Sequence, residues 1–191
     1  LVMDGMDDYV NVATFNSLPA TAITVSTWVK LDLHKDYHRL VTHDWCSAGG
    51  WLLFTIAAGT AGFGLSTAGC AAQYTTFAPV NTGVWHHLAG TYDGSVVRLY
   101  VDGVERSSLA GVSLALDAAG SVQLSFGNGT DSLDGTIDEV RVYNRALTSA
   151  EVAVLNTSYS ESYTYGALGN VTRRNNATYT YGAKPHAVTQ V

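Results

Sequence analysis

Aspartates crowd the opening phrase DGMDD, as Asp4, Asp7 and Asp8, and another stands near the end in GTIDEVRVY, as Asp138. In the run Thr136–Tyr143, Asp138 shares strand parity with Val140 and Val142, while Glu139 falls with Arg141 and Tyr143. An aspartate on an apolar strand face needs its charge compensated, or a place at an edge. A hard cation supplies that compensation, because calcium takes carboxylates and backbone carbonyls together. The expected calcium ligands are Asp4, Gly5 and Asp138, provided the first and last strands lie side by side. The alternative is that Asp4 and Asp138 cap turns through side-chain to backbone bonds.

Histidines raise a second metal chemistry. His34, His38 and His43 lie close in sequence to Asp36, Asp44 and Cys46. Their spacing matches no tight zinc motif, and the segment reads as strand and loop, so a transition-metal site is the minor expectation. His86 and His87 are adjacent in a strand, face opposite sides and do not chelate one ion. Aromatic residues offer a third chemistry. Trp45 and Trp51 flank the Cys46 loop and Tyr74 follows Cys70. Exposed rings stack on sugar faces while Asp44 or amide side chains hold hydroxyls, which makes Asp44, Trp45, Trp51 and Tyr74 the candidate ligand-binding set. Against this stands a plain reading of these rings as core or loop anchors, which is common for tryptophan in β proteins. Trp28 and Trp85 fall inside strand patterns and read as core.

Nothing in the chain presents a nucleophile. Glucanase strands carry closely spaced acids, and the four glutamates here, Glu105, Glu139, Glu151 and Glu161, form no such arrangement. There is no G-x-S-x-G, H-E-x-x-H, P-loop or G-x-G-x-x-G phrase. The expectation is a protein without catalytic residues.

Composition narrows the partners. The formal charge is −6, and the ten Lys and Arg residues form no basic stripe, which argues against nucleic acid. No apolar run reaches the roughly 20 residues that span a bilayer as a helix. The two cysteines, Cys46 and Cys70, sit in glycine-rich loop settings. In an exported protein a disulfide between them is expected, closing a loop whose stabilisation is roughly 3 kcal/mol; in a cytosolic one they are small core or loop thiols. Sequons occur at Asn128, Asn156, Asn170 and Asn176. The chain opens on Leu1 and reads as a mature or excised piece of something longer.

The elements that must position these groups are short strands. Ile23, Val25, Thr27, Val29 and Leu31 alternate with Ser26, Trp28 and Lys30, the mark of a half-buried strand. In LAGTYDGSVVRLYVDGVE, Asp93-Gly94 and Asp102-Gly103 each divide strand-like runs, predicting a three-stranded meander with two-residue hairpin turns. Further strands are expected at Val10–Val12, His38–Thr42, Trp51–Ile56, Ser121–Phe126 and Thr136–Tyr143. Thr148 followed three residues later by Glu151 is a capping box and predicts one short closing helix. The fold class that follows is all-β, a two-sheet antiparallel jelly-roll sandwich.

The phrases DGMDDYVNV (4–12), ITVSTWVK (23–30), GVWHHLAGTYDGSVVRLYVDGV (83–104) and GTIDEVRVYNRALTSAEV (135–152) resemble the laminin-G-like, concanavalin-A-like jelly-roll domains of large bacterial surface proteins. The likeness runs over residues 1–156, and residues 43–80 carry no diagnostic phrase. It implies a two-sheet jelly roll, calcium in many members, and roles in sugar or protein binding and adhesion. Residues 157–191 differ in character. YTYGALGNVT and YTYGAKPHAVTQV are similar to the tyrosine-rich YD repeats of Rhs-type proteins, with Gly166 where an aspartate is usual. Two such units do not close a repeat shell.

The expected function is therefore a non-catalytic, calcium-stabilised binding or adhesion module, secreted or displayed on a bacterial surface. Its partner is a glycan or a surface protein. The alternative is a structural subunit whose tyrosine-rich tail self-associates by adding a strand to a neighbouring copy.

Overall fold

A computed structural model describes residues 1–15, 21–67, 71–75, 77–117, 119–126 and 131–157, and the strand residues 163–165, 171–174, 177–178, 180–181 and 188–190. The chain divides into two compact units, Leu1–Val154 and Leu155–Val191.

In the first unit the strands are β1 (Val2–Asp4), β2 (Val10–Phe15), β3 (Ile23–Leu31), β4 (His38–His43), β5 (Trp51–Ile56), β6 (Thr60–Ser66), β7 (Ala72–Tyr74), β8 (Ala78–Pro79), β9 (Trp85–Tyr92), β10 (Val96–Val101), β11 (Val104–Ala110), β12 (Gly120–Leu124) and β13 (Asp134–Tyr143). They build two antiparallel sheets, ordered β1-β13-β3-β9-β10-β11 and β2-β12-β4-β5-β6-β7, with β8 added to β6. This is the jelly-roll sandwich that the short alternating runs predict.

Parity sorts each strand between core and surface. From the first sheet Ile23, Val25, Val29, Leu31, Leu88, Tyr92, Val97 and Leu99 enter the shared core. Val41, Trp51, Leu53, Ala61, Phe63, Leu65, Val122 and Leu124 meet them from the second sheet. Asp102 and Gly103 both take positive φ, 53° and 76°, the two-residue turn expected between β10 and β11. The Asp93-Gly94 corner is longer than expected. Asp93 Oδ1 accepts from the Ser95 and Val96 N–H groups, so the side chain rather than a two-residue turn shapes it.

The closing helix α1 (Ser149–Thr157) starts as the capping box requires. Glu151 N–H donates to Thr148 Oγ1 (3.3 Å), and Thr148 N–H donates back to Glu151 Oε2 (2.8 Å). Val152 is its buried anchor.

The tail has its own strands: β14 (Tyr163–Tyr165), β15 (Val171–Arg174), β16 (Ala177–Thr178), β17 (Thr180–Tyr181) and β18 (Val188–Gln190). They form a three-stranded sheet, β14-β15-β16, and a two-stranded one, β17-β18. Among the described residues no helix is long and apolar enough to cross a membrane.

Candidate functional site

The outer face of the second sheet carries the site. Cross-strand register aligns Gln123 on β12, Thr42 on β4, Leu52 on β5, Gly64 on β6 and Tyr74 on β7 in one row. The neighbouring row runs Arg39, Phe54, Gly62. Glycines at 62 and 64 leave room for flat rings. A Cβ at Gly64 would stand 2.4 Å from the Tyr74 ring, and one at Gly62 would stand 2.6 Å from Phe54. Phe54 lies parallel to Tyr37 (centroids 4.9 Å apart, 7° between planes) and meets Tyr74 and Phe77 edge-on. The Tyr37 phenol donates toward the Tyr74 oxygen at 3.5 Å. Burial, then that hydrogen bond, pushes the Tyr37 phenol well above its ordinary range.

Beside this aromatic layer opens a cleft of about 210 Å³, lined by Arg39, Thr42, Asp44, Trp45, Ser47, Gln123 and Phe126. Trp45 joins the two regions, with its ring 5.6 Å from that of Tyr74. Arg39 is held by Asp131 at 3.1 Å, and its Nε is buried without a hydrogen-bond partner. Phe126, 38% exposed, forms the far wall, with Tyr9 edge-on behind it at 6.1 Å. Guanidinium, carboxylate, amide and hydroxyl groups thus line one cleft together with the Trp45 and Phe126 rings. That combination can hold a polyhydroxylated ring by stacking and by hydrogen bonds.

Of the four residues expected to bind ligand, Asp44 and Trp45 line the cleft and Tyr74 supports Trp45. Trp51 does not belong with them. It is fully buried on the core side, 5.6 Å from the His43 ring, because β5 alternation turns Trp51 and Leu53 inward and Leu52 and Phe54 outward. Arg39, Gln123 and Phe126 carry no local signal in the sequence, since they lie on β4, on β12 and just past it, and only sheet pairing brings them together.

The expected calcium set does not converge. Asp4 lies opposite Asp134 in the β1–β13 register, and Asp138 follows four residues later, about 13 Å along a strand. A bulge between Asp138 and Arg141, where Glu139 takes φ 51°, reverses the parity expected for Asp138. The bulge turns Val140 and Val142 to the core, while Asp138 stays exposed and its Oδ1 accepts from Glu139 N–H. The Gly5 carbonyl accepts a hydrogen bond from the Lys35 ammonium. What does converge is Asp4, Asp7 and Asp8, whose carboxylate oxygens lie within 4.8 Å of one another, all exposed. That oxygen-only set suits a hard cation.

Among the described residues only one other group of potential ligands converges, His43 with Asp44 and Asp117. His34, His38, Asp36 and Cys46 are not part of it. Cys70 and Asn128, Asn170 and Asn176 lie outside the described residues, and with Cys70 the expected disulfide. His86 and His87 face opposite ways as expected. His86 Nδ1 contacts Asp102 at 2.9 Å, and the buried His87 ring lies 5.5 Å from Trp28. Trp28 is buried on the outer face of the first sheet rather than in the core between the sheets, and Trp85 is half-buried.

A family model described as the concanavalin A-like lectin/glucanases superfamily, of laminin-G type, matches residues 4–153. No curated protein matches the chain in sequence. Among solved structures, domain 4 of AbnA is similar, with a TM-score of 0.67 and 23% identity over 81% of this chain and 75% of that one. AbnA is a GH43 extracellular arabinanase from Geobacillus stearothermophilus, and that domain was solved in complex with arabinotriose. The CBM40 of the Ruminococcus gnavus IT-sialidase, bound to α2,3 sialyllactose, gives a TM-score of 0.59 at 17% identity over 72% of this chain and 84% of its own. The heptameric SAP-like pentraxin from Limulus polyphemus gives 0.61 at 17%, over 81% and 78%.

Proposed function

Since this chain belongs to the concanavalin A-like lectin/glucanases superfamily, in its laminin-G-like branch, we propose that it is a non-catalytic glycan-binding module of a secreted or surface-displayed bacterial protein. The observation that carries this reading is the cleft on the second sheet, lined by Trp45 and Phe126 together with Asp44, Arg39, Thr42 and Gln123. Rings supply stacking area, and the polar groups supply donors and acceptors for sugar hydroxyls. Carbohydrate complexes of two similar folds support the choice of ligand class. Among the described residues Asp44 is the one carboxylic acid that lines this cleft, whereas glycoside hydrolysis ordinarily uses a pair.

Two further elements belong to the reading. Calcium sits at Asp4, Asp7 and Asp8, relieving the repulsion of three exposed carboxylates. A bridge between Cys46 and Cys70 ties down the loop that presents Trp45. The experiment is a glycan array with the full chain, repeated with Trp45→Ala and Gln123→Ala. Retention of the same hits by both variants would exclude this cleft as the binding site.

A second reading has a specific observation behind it. The tail forms small sheets, with β14 and β16 at the edges of one of them, and sheet edges are templates for strand addition. In this reading residues 157–191, with their YD-repeat likeness, assemble copies or dock a longer repeat array. Concentration-dependent assembly that survives deletion of residues 158–191 would eliminate it.

A further inference from the structure

His43 closes β4 with its side chain fully buried. Its Nδ1 lies 3.0 Å from the Ser121 carbonyl oxygen. A carbonyl only accepts, so Nδ1 carries a hydrogen, and in the neutral imidazole that leaves the lone pair on Nε2. That Nε2 is buried and has no hydrogen-bond partner. It points toward the Asp44 carboxylate, whose Oδ2 is 4.0 Å away, beyond hydrogen-bond reach. Asp117 completes the group from the loop before β12. Its N–H donates to the Gly49 carbonyl at 3.0 Å, which fixes that loop against the Asp44–Gly50 turn. One oxygen of each carboxylate and a ring nitrogen of His43 all lie within 4.8 Å of one another, and Nε2 is the nitrogen turned toward Asp44.

The local backbone is shaped to this convergence. Asp44 takes a left-handed φ of 38°. Gly120 passes so close that a Cβ there would be 2.0 Å from Asp44 Oδ2 and 2.7 Å from His43 Cε1. Any other residue at 120 would collide with the Asp44 carboxylate and the His43 ring. A backbone carbonyl that sets the imidazole tautomer is the support that metal-bound histidines ordinarily receive.

We propose that His43, Asp44 and Asp117 bind a divalent transition-metal ion of the zinc class. One imidazole nitrogen with two carboxylates suits zinc, manganese or cobalt, whereas calcium prefers oxygen alone. Bonds to zinc space adjacent donors roughly 3.0–3.5 Å apart. The half-exposed Asp44 carboxylate reaches that spacing by rotating toward Nε2, and the ion's remaining positions face water. This site is distinct from the Asp4, Asp7 and Asp8 cluster and does not depend on glycan binding. Metal uptake by a chain that binds no glycan would leave it standing.

The test uses the full chain stripped with EDTA, then titrated calorimetrically with zinc and optically with cobalt. The expected result is one ion per chain, a visible cobalt spectrum, and a melting temperature raised by zinc. Asp117→Asn and Asp44→Asn, both at half-buried positions, keep the fold by circular dichroism and weaken binding at least about tenfold. The proposal is overturned by an absence of saturable zinc binding. It is equally overturned if both variants bind zinc as tightly as the parent, or if binding is lost only on substituting Asp4 and Asp7.

Discussion

The Trp45 indole lies 5.6 Å from the Tyr74 ring, tilted by 36°, and Gly64 leaves the room that the Tyr74 ring occupies. Removing Trp45 takes away a stacking wall without opening the core. Trp45→Ala is expected to reduce glycan affinity by about tenfold or more, since an aromatic contact contributes on the order of 0.5–1.5 kcal/mol beyond the area it buries. Its melting temperature should fall by only a few degrees. Trp51→Ala is the contrasting variant. With Trp51 fully buried, it should lose about 3–5 kcal/mol of stability. Isothermal titration and thermal melts on the pair measure both effects.

The acidic opening predicts a calcium effect on stability. Three carboxylates with oxygens within 4.8 Å repel one another unless a cation intervenes. Calcium should raise the melting temperature of the full chain, and EGTA should reverse it. Asp7→Asn together with Asp8→Asn should abolish the response while raising the metal-free melting temperature. An identical calcium response in the double variant would rule this cluster out.

How far these sites are legible in the sequence depends on what carries each one. Alternation in Ile23–Leu31 and the meander around Asp102-Gly103 are local signals, and the two sheets follow from them. The capping box at Thr148 and Glu151 is equally local. β6 is harder to see, because its outward positions at 62 and 64 are glycines that owe their place to the rings above them. The bulge at Glu139 inverts parity and sends Asp138 to the surface, and no alternation pattern reports an inserted residue. Asp117 joins His43 only through the packing of two distant loops. Arg39 and Gln123 meet because β12 lies between β2 and β4, a pairing that no short motif encodes.

The helix cap gives an independent check on the closing element. Glu151 is held down to about 2 by the Arg145 guanidinium first, then by the Thr148 N–H and hydroxyl. Thr148→Ala removes the acceptor for the Glu151 N–H and should cost about 1 kcal/mol, visible as a small drop in urea midpoint at unchanged slope. A change in slope would mean that the helix docks cooperatively with something larger.

Two buried histidines predict that the fold loses stability in acid. His38 is fully buried, and neither ring nitrogen finds a hydrogen-bond partner; the same holds for His87, 1% exposed. Burial first, then the positive charges of Lys35 and His34, lower His38 to about 4. Burial lowers His87 to about 4 as well, against the pull of Asp102 and with the push of Arg141. Each folded value lies below the unfolded one of roughly 6.5, so the unfolded chain binds more protons in between. Stability is therefore fully present above about pH 6.5 and falls as the pH drops toward 4, by on the order of 3 kcal/mol for each histidine. Urea titrations at pH 7.5, 6, 5 and 4.5 should show this decline. His87→Phe should flatten roughly half of it, because the ring beside Trp28 keeps its volume and loses its proton site. A decline of the same size in that variant would place the acid sensitivity elsewhere in the chain.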